Sequence, residues 1–426
     1  MAFTLICNGT LIDGTGARPV KNAAVLLEGT QIRTIGSMDT LTLPNVAITE
    51  VDAGGGYILP GMIDSHVHIM FESFNLQQMM TTPFSLHFYK TIENMRRTVE
   101  AGITTVRDAG GADLGVKQAV EQGLLLGPRL QISITMLTIT GGHGDFWMPS
   151  GMDLTLFPGY PGRPDGRCDG VDEVRRKVRE VLRAGADVVK VAASGGVLSP
   201  TDHPEFTQFS PEELQAIVEE ARFRKGTRVM AHAQGVESVK NAVRAGVHSI
   251  EHGIYLDDEA IELMLKHGVY LVPTLLAPVS VVEIAEAGGS LPPNAFRKAK
   301  EVVDIHRESI SKAYKAGVKI AMGTDAGVMP HGTNLRELGL MCGLGMSPLK
   351  AITAATKTAA ECLGLGDQVG TIEPTKIADI IISSADPLAD IHVLEKPENI
   401  VMVIKEGRIV KDTRKPAPRA AASAGG

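Results

Sequence analysis

Cysteine is scarce: Cys7, Cys168, Cys342 and Cys362 are the only four in 426 residues, and none stands in C-x-x-C spacing. A disulfide framework or a cysteine-held metal is therefore not expected, and a reducing compartment, the cytoplasm, is the default. Positive charge is not in excess either. The formal net charge is −7 with the signs interspersed, so no polybasic face invites nucleic acid or an anionic membrane. No apolar run reaches the roughly eighteen residues a membrane span needs, and MAFTLICNGT lacks the basic start and long apolar core of a secretory leader. A small-molecule substrate is the partner that remains.

What the chain does carry is a set of ligand-type residues, each near the C-terminal end of a short apolar run. In ILPGMIDSHVHIM, His66 and His68 are two residues apart. On a strand, side chains at that spacing share a face, so both imidazoles can converge on one ion while Val67 packs away. Taken singly, such a pair can equally serve packing.

The second element is ADVVKVAASGG, in which Lys190 interrupts Val188, Val189, Val191 and Ala192. A continuous apolar run of this kind suits a parallel strand covered on both faces, where an unpartnered ammonium is costly. A buried carboxylate could pair with it, or the side chain could reach the strand end. Alternatively its pKa falls and the neutral amine takes up CO₂, giving an anionic carbamate with two oxygens.

Next come RVMAHAQG and HSIEHG, with the helix-like VESVKNAVRAGV between them. That is a βαβ unit, which sets His232 and His252 on adjacent parallel strands. VKIAMGTDAG brings Asp325 to another glycine-punctuated strand exit. An aspartate there is ordinarily a turn or helix-cap residue. Six such residues on the same ends of five strands are hard to assign to packing, because that rim is where a barrel of parallel strands carries its chemistry.

Candidate strands lie at 58–66, 104–108, 129–138, 188–192, 228–232, 249–252, 270–273 and 319–323. Amphipathic stretches such as DEVRRKVREVLRAGA, SPEELQAIVEEARFRKG and DDEAIELMLKHG alternate with them. The expected class is α/β, a (β/α)₈ TIM barrel over residues 57–369. Residues 1–56 and 370–413 hold short β-like runs with no helical pattern. Neither flank can bury a core alone, so together they are expected to form one small discontinuous β-sandwich. Residues 414–426, rich in alanine and proline, are expected to be a mobile tail.

The motifs HVH, VVKVAASGG, AHAQG, EHG and GTDAG, in this order, resemble the metal-dependent amidohydrolase superfamily. SGGVLSPTDHPEFTQFS and GGHGDFW are similar to its Xaa-Pro-dipeptidase-like and carboxypeptidase-like branch, which also contains ochratoxin-hydrolysing amidases. The resemblance implies that His66, His68 and Asp325 hold one divalent metal and His232 and His252 a second, with carboxylated Lys190 and a hydroxide bridging them. Zinc suits this nitrogen and oxygen set first, manganese or cobalt next. It further implies attack of the bridging hydroxide on an amide, with Asp325 carrying the proton from nucleophile to leaving amine.

His143, in TGGHGDFW, is a candidate donor to the developing oxyanion, and Tyr255 a candidate substrate contact. The loops FPGYPGRPDGRC, SPTDHPEF and GVMPHGTN are expected to shape the pocket, with His203, His331 and Trp147 as further candidates. Arg163, Arg167 and Arg336 are candidates to face a substrate carboxylate. His87, His248, His267, His306 and His392 read as ordinary. A dipeptide, an N-acyl amino acid or an ochratoxin-like aryl amide is the expected substrate. A cyclic-amide hydrolase or deaminase, and a metal-free scaffold protein, are the alternatives. Symmetric homo-oligomers are common in such a superfamily.

Overall fold

The computed structural model describes residues 2–72, 80–148, 150–153, 155–199, 201–289 and 293–414. Most of the expected tail, 415–426, lies outside them. The first five strands, β1 (Phe3–Leu11), β2 (Val20–Glu28), β3 (Gln31–Ser37), β4 (Ile48–Asp52) and β5 (Tyr57–Pro60), come from the beginning of the chain. Three more, β14 (Ile380–Ser383), β15 (Ile400–Lys405) and β16 (Arg408–Asp412), come from its far end. All eight join one mostly antiparallel sheet in the order β16-β15-β14-β5-β1-β2-β3, with β4 also on β1. Alternation decides which face each residue serves. Ala23, Val25 and Leu27 pack with Ile58, Ile380 and Met402 on one side, while Ala24 and Leu26 pack with Leu5 on the other.

Between these flanks the strands are parallel. One sheet has three, β6 (Met62–Val67), β7 (Ile103–Asp108) and β8 (Arg129–Ile132). A second has five, ordered β13-β12-β11-β10-β9: β9 (Met136–Leu137), β10 (Val188–Ala192), β11 (Arg228–Ala233), β12 (Ser249–His252) and β13 (Tyr270–Val272). The expected helices connect them. Pro211–Arg222 starts on a capping box between Ser210 and Glu213, and Asp258–His267 starts on Asp257 and ends at Gly268 in the left-handed region.

Three strand expectations are corrected. The run 58–66 is two strands, because β5 belongs to the antiparallel sheet and β6 to the parallel one, with Gly61 between them. A side chain at Gly61 would place its Cβ within 2.5 Å of two atoms of Thr104. The run 129–138 is also split: Ile134 takes a left-handed φ of 69°, so β8 pairs with β7 and β9 with β10. Residues 319–323 form no ladder. Their backbone instead exchanges hydrogen bonds with Leu271 on one side, while the Met322 carbonyl accepts from Ser65 N–H on the other. The segment thus touches β13 and β6 through single bridges, Leu271 to Ile320 and Val67 to Ala326.

Gly61→Ala is expected to destabilise the protein by about 1–3 kcal/mol through overpacking against Thr104. The double variant with Thr104→Ala should recover most of the loss in a denaturant titration. A single variant as stable as the parent would contradict the close approach.

Candidate metal centre

The parallel strands aim alternate residues inward. On β10, Val189 and Val191 pack against the surrounding helices, while Lys190 faces the interior with 1% of its surface exposed. On β11, Met230 and His232 take the same side. On β12 alternation turns Ser249 and Glu251 inward, and by the same rule His252 should point out. It does not, because His252 adopts a left-handed φ of 74° that redirects its ring into the site. Asp325 does likewise at φ 63°. A non-glycine residue in that region costs roughly 1–2 kcal/mol, so two of them at one site indicate that side-chain direction outweighs local comfort.

The six residues singled out from the sequence come together. His66, His68 and Asp325 place one ligand atom each within 4.8 Å of one another and could hold a metal ion. Asp325 Oδ1 lies 3.3 Å from His68 Nε2 and 3.6 Å from His66 Nε2. Lys190 Nζ lies 3.2 Å from His66 Nε2. The ring of His252 is 5.1 Å from that of His66 and 4.5 Å from that of His232.

Each imidazole is held by its other nitrogen. His66 Nδ1 meets Glu251 Oε2 at 2.7 Å, and His68 Nδ1 meets the Gly110 carbonyl at 2.9 Å. His232 Nε2 meets the Gly195 carbonyl at 3.0 Å, and His252 Nδ1 meets Thr274 Oγ1 at 2.6 Å. Carbonyl and carboxylate oxygens only accept, so they fix N–H on that side and leave a lone pair on the other. Metal ligation requires this arrangement. Burial first, then the neighbouring Lys190, pushes His66 well below its ordinary range. His232 and His252 are likewise pushed well down, chiefly by burial. Neutral imidazoles are the form that binds a cation.

The carboxyl and the amine are both held below their ordinary values, for different reasons. Burial would raise Asp325, but the His68 hydrogen bond and the charges of His66, His68 and Lys190 outweigh it and hold the group below the usual carboxylate range. Burial pushes the Lys190 amine down to about 8, against the pull of Glu251 and Asp325. The donor set fits a divalent cation: imidazoles held neutral by burial, an ionised carboxylate and an amine that loses its proton more readily than an exposed lysine.

Several functional residues escape a reading of the sequence. Glu251, fully buried, joins His66 to Arg107, whose Nη2 is 2.8 Å from Glu251 Oε1. A single glutamate beside a candidate ligand gives only one signal, its interruption of an apolar strand. Asp64, also fully buried, accepts from Thr324 N–H, the Thr324 hydroxyl and Asn334, fastening β6 to the Asp325 segment. Burial pushes it up to about 6 despite those bonds.

His306 and His331 brace the ligand strands from behind. His306 Nε2 lies 2.9 Å from the His252 carbonyl, and His331 Nε2 lies 3.2 Å from that of His68. His306 is therefore not an ordinary helix histidine; it fills the second layer of the site.

His143 stacks on His232, with ring centres 4.2 Å apart. Its Nδ1 is 3.0 Å from Ser199 Oγ and 3.7 Å from Asp202 Oδ2. A Cβ on Gly196 would lie 2.2 Å from its ring, so the glycine there makes room for it. Two small clefts flank the cluster. One runs past His232 and His252 between Val197, Ile254 and Pro278. The other runs past His68 between Phe71, Phe157 and Leu198, and both include His143 and Asp325.

Tyr255 is half-buried and lines neither cleft; burial raises its hydroxyl, with Glu205 and Glu301 nearby. Trp147 is 48% exposed and His203 sits beside Glu205, both outside these clefts. Arg336 is paired with Glu283, and Arg167 with Asp153 and Asp165.

Residues 57–410 match the amidohydrolase family, and the chain belongs to it. It is a hydrolytic enzyme acting on carbon–nitrogen bonds. Ochratoxinase of Aspergillus niger is 37% identical over 96% of this chain and 86% of its own. A Xaa-Pro dipeptidase with methionine bound in its active site superposes with a TM-score of 0.85 at 35% identity, covering 96% of this chain and all of the other. A prolidase complexed with N-methylphosphonate-L-proline gives 0.88 at the same identity and coverage. No helix among the described residues is long and apolar enough to cross a membrane.

Glu251→Gln should lower metal affinity about 10–100-fold by releasing the His66 ring, as loss of such supporting partners does elsewhere. It should also lower thermal stability, because Arg107 loses its buried counter-charge. Metal content after dialysis and a melting curve measure both; parental values in the two would refute the role. His306 and His331 give a pH dependence. Burial holds both imidazoles at about 4 against an ordinary 6.5. Their contribution to stability is complete above pH 6.5 and lost as pH falls through 4, because the unfolded chain protonates first. The urea midpoint should therefore drop between pH 7 and pH 5, and His306→Gln should shrink that drop.

Proposed function

We propose that this enzyme holds two divalent metal ions, zinc first, and hydrolyses an amide bond in small substrates such as dipeptides, N-acyl amino acids or ochratoxin-like aryl amides. The observation that carries the reading is Lys190. It is buried, and among the described residues its amine has no carboxylate within ion-pair distance, only His66 at 3.2 Å. Burial there disfavours the ammonium and eases its deprotonation. Conversion to a carbamate makes it an anion with two oxygens, between the His66–His68–Asp325 group and the His232–His252 pair. The proposed assignment gives the first metal to the former, the second to the latter, and both to Lys190.

When bound, the two cations supply a nucleophile at neutral pH and a Lewis acid for the scissile carbonyl. Asp325 does the proton work. Its depressed pKa keeps it ionised and able to accept a proton from the nucleophile; once protonated it is a strong acid that readily donates to the leaving nitrogen. His143, bonded at Nδ1 to Ser199, lines both clefts, where it is the proposed contact to the oxyanion. Tyr255 remains a candidate substrate contact from the loop behind β12.

The strand order and the bridges through 319–326 support a (β/α)₈ barrel over residues 57–369. The flanks 1–56 and 370–413 are proposed as one β-sandwich domain. The proposed setting is the cytoplasm and the proposed partners are a small substrate and further copies of the chain, without nucleic acid or membrane.

Lys190→Ala should lose turnover and about one equivalent of metal, with partial recovery in short-chain carboxylic acids. A hydrolysis screen over dipeptides, N-acyl amino acids and hydantoins, with metal analysis of each preparation, tests the whole reading. Cleavage confined to hydantoins would replace it with a cyclic-amide hydrolase, and full activity of the lysine variant would remove the bridging role.

A further inference from the structure

The cleft past His232 and His252 is walled mostly by aliphatic side chains, among them Val197, Leu198, Ile254, Val281 and Val328. One primary amide is set among them. Gln234 follows β11 directly, two residues after His232, and is 5% exposed. Its backbone is tied on both sides: the N–H donates to Ser194 Oγ at 2.9 Å, and the carbonyl accepts from Tyr255 N–H at 2.8 Å. Its side chain is not tied. Oε1 is buried with no hydrogen-bond partner, and nothing among the described residues bonds Nε2. The other polar side chains of the cleft are engaged, His143 with Ser199, Thr274 with His252 and His306 with the His252 carbonyl.

A buried polar atom without a partner is costly, and native proteins rarely keep one. An amide oxygen only accepts, so what Gln234 lacks is a donor. On the proposed roles, His143 contacts the oxyanion and stacks on His232, whereas Asp325, which protonates the leaving nitrogen, stands beside His66 and His68. The acyl half of the substrate therefore falls on the Gln234 side.

Resting on the amide-hydrolase reading above, we propose that Gln234 is a specificity-determining residue whose Oε1 accepts a hydrogen bond from an amide N–H on the acyl side of the scissile bond. The preferred acyl group is then an amino acid whose own nitrogen is acylated, ahead of a plain alkanoyl group. An ammonium could donate as well. Asp325 is the only carboxylate lining the cleft, however, and it is already engaged by His66 and His68, so aliphatic surroundings disfavour the extra charge.

The test measures kcat/KM for release of the C-terminal alanine on the zinc-loaded enzyme. N-acetyl-alanyl-alanine is compared with 2-methyl-4-oxopentanoyl-alanine, in which a methylene replaces that one N–H. The N–H substrate should win by at least fivefold, and the ratio should fall at least threefold in both Gln234→Leu and Gln234→Met. Each substitution removes an unpartnered amide, so folding should survive it. Because the ratio is taken on one preparation, any general loss of activity or metal cancels. A parental ratio below fivefold, or a smaller fall in either variant, overturns the role of Gln234 while amide hydrolysis stands. Alanyl-alanine, with its ammonium, should be a poorer substrate than the acetylated peptide, and the reverse order overturns the neutral donor. Release of alanine from none of the three overturns the amide-hydrolase reading and this inference together.

Discussion

The carboxylate of Glu251 bears on one side on the guanidinium of Arg107 and on the other on Nδ1 of His66. Everything above it in the interior depends on that bridge. It compensates a cation that could not otherwise be buried, and it fixes the tautomer of the most enclosed imidazole. With Nδ1–H committed to Glu251, Nε2 of His66 can only face Asp325 and Lys190 with a lone pair. A buried ion pair of this kind adds little net stability over an apolar replacement. Its value lies in specifying a direction, and the same service is rendered to His68 and His232 by backbone carbonyls.

Much of this was legible in the residues. The two-residue spacing of His66 and His68 follows from strand periodicity, and Lys190 declares itself by interrupting valines. What period-two reasoning could not supply is the twist at His252 and Asp325, where a left-handed residue turns a side chain that alternation would send outward. Glu251 was hidden for a related reason: it and His252 are consecutive, and a regular strand cannot aim both inward. The helix of His306, Pro293–Ala316, lies far along the sequence from the carbonyl it braces, so no local pattern signals that contact.

The strands were harder to delimit than to find. Apolar runs mark 58–66 and 129–138 as extended, yet they do not say with which neighbour each half pairs. Steric crowding of Gly61 against Thr104 and the backbone at Ile134 decide that. The segment 319–326 reads as a strand by composition and behaves as one only in part. Its hydrogen bonds alternate between β13 and β6, a bonding pattern that depends on both neighbours being in place.

β5 and β6 are separated by one glycine, so the chain passes directly from the antiparallel sheet into the strand that carries His66. β5 in turn lies between β1 and β14, and β14 is contributed by residues far downstream. During synthesis on the ribosome the segment anchoring His66 therefore has one edge unpaired until Ile380–Ser383 has been made. Assembly of the catalytic interior is in this sense a late event, and an exposed β5 edge is the feature of the nascent chain that a chaperone would have most reason to shield.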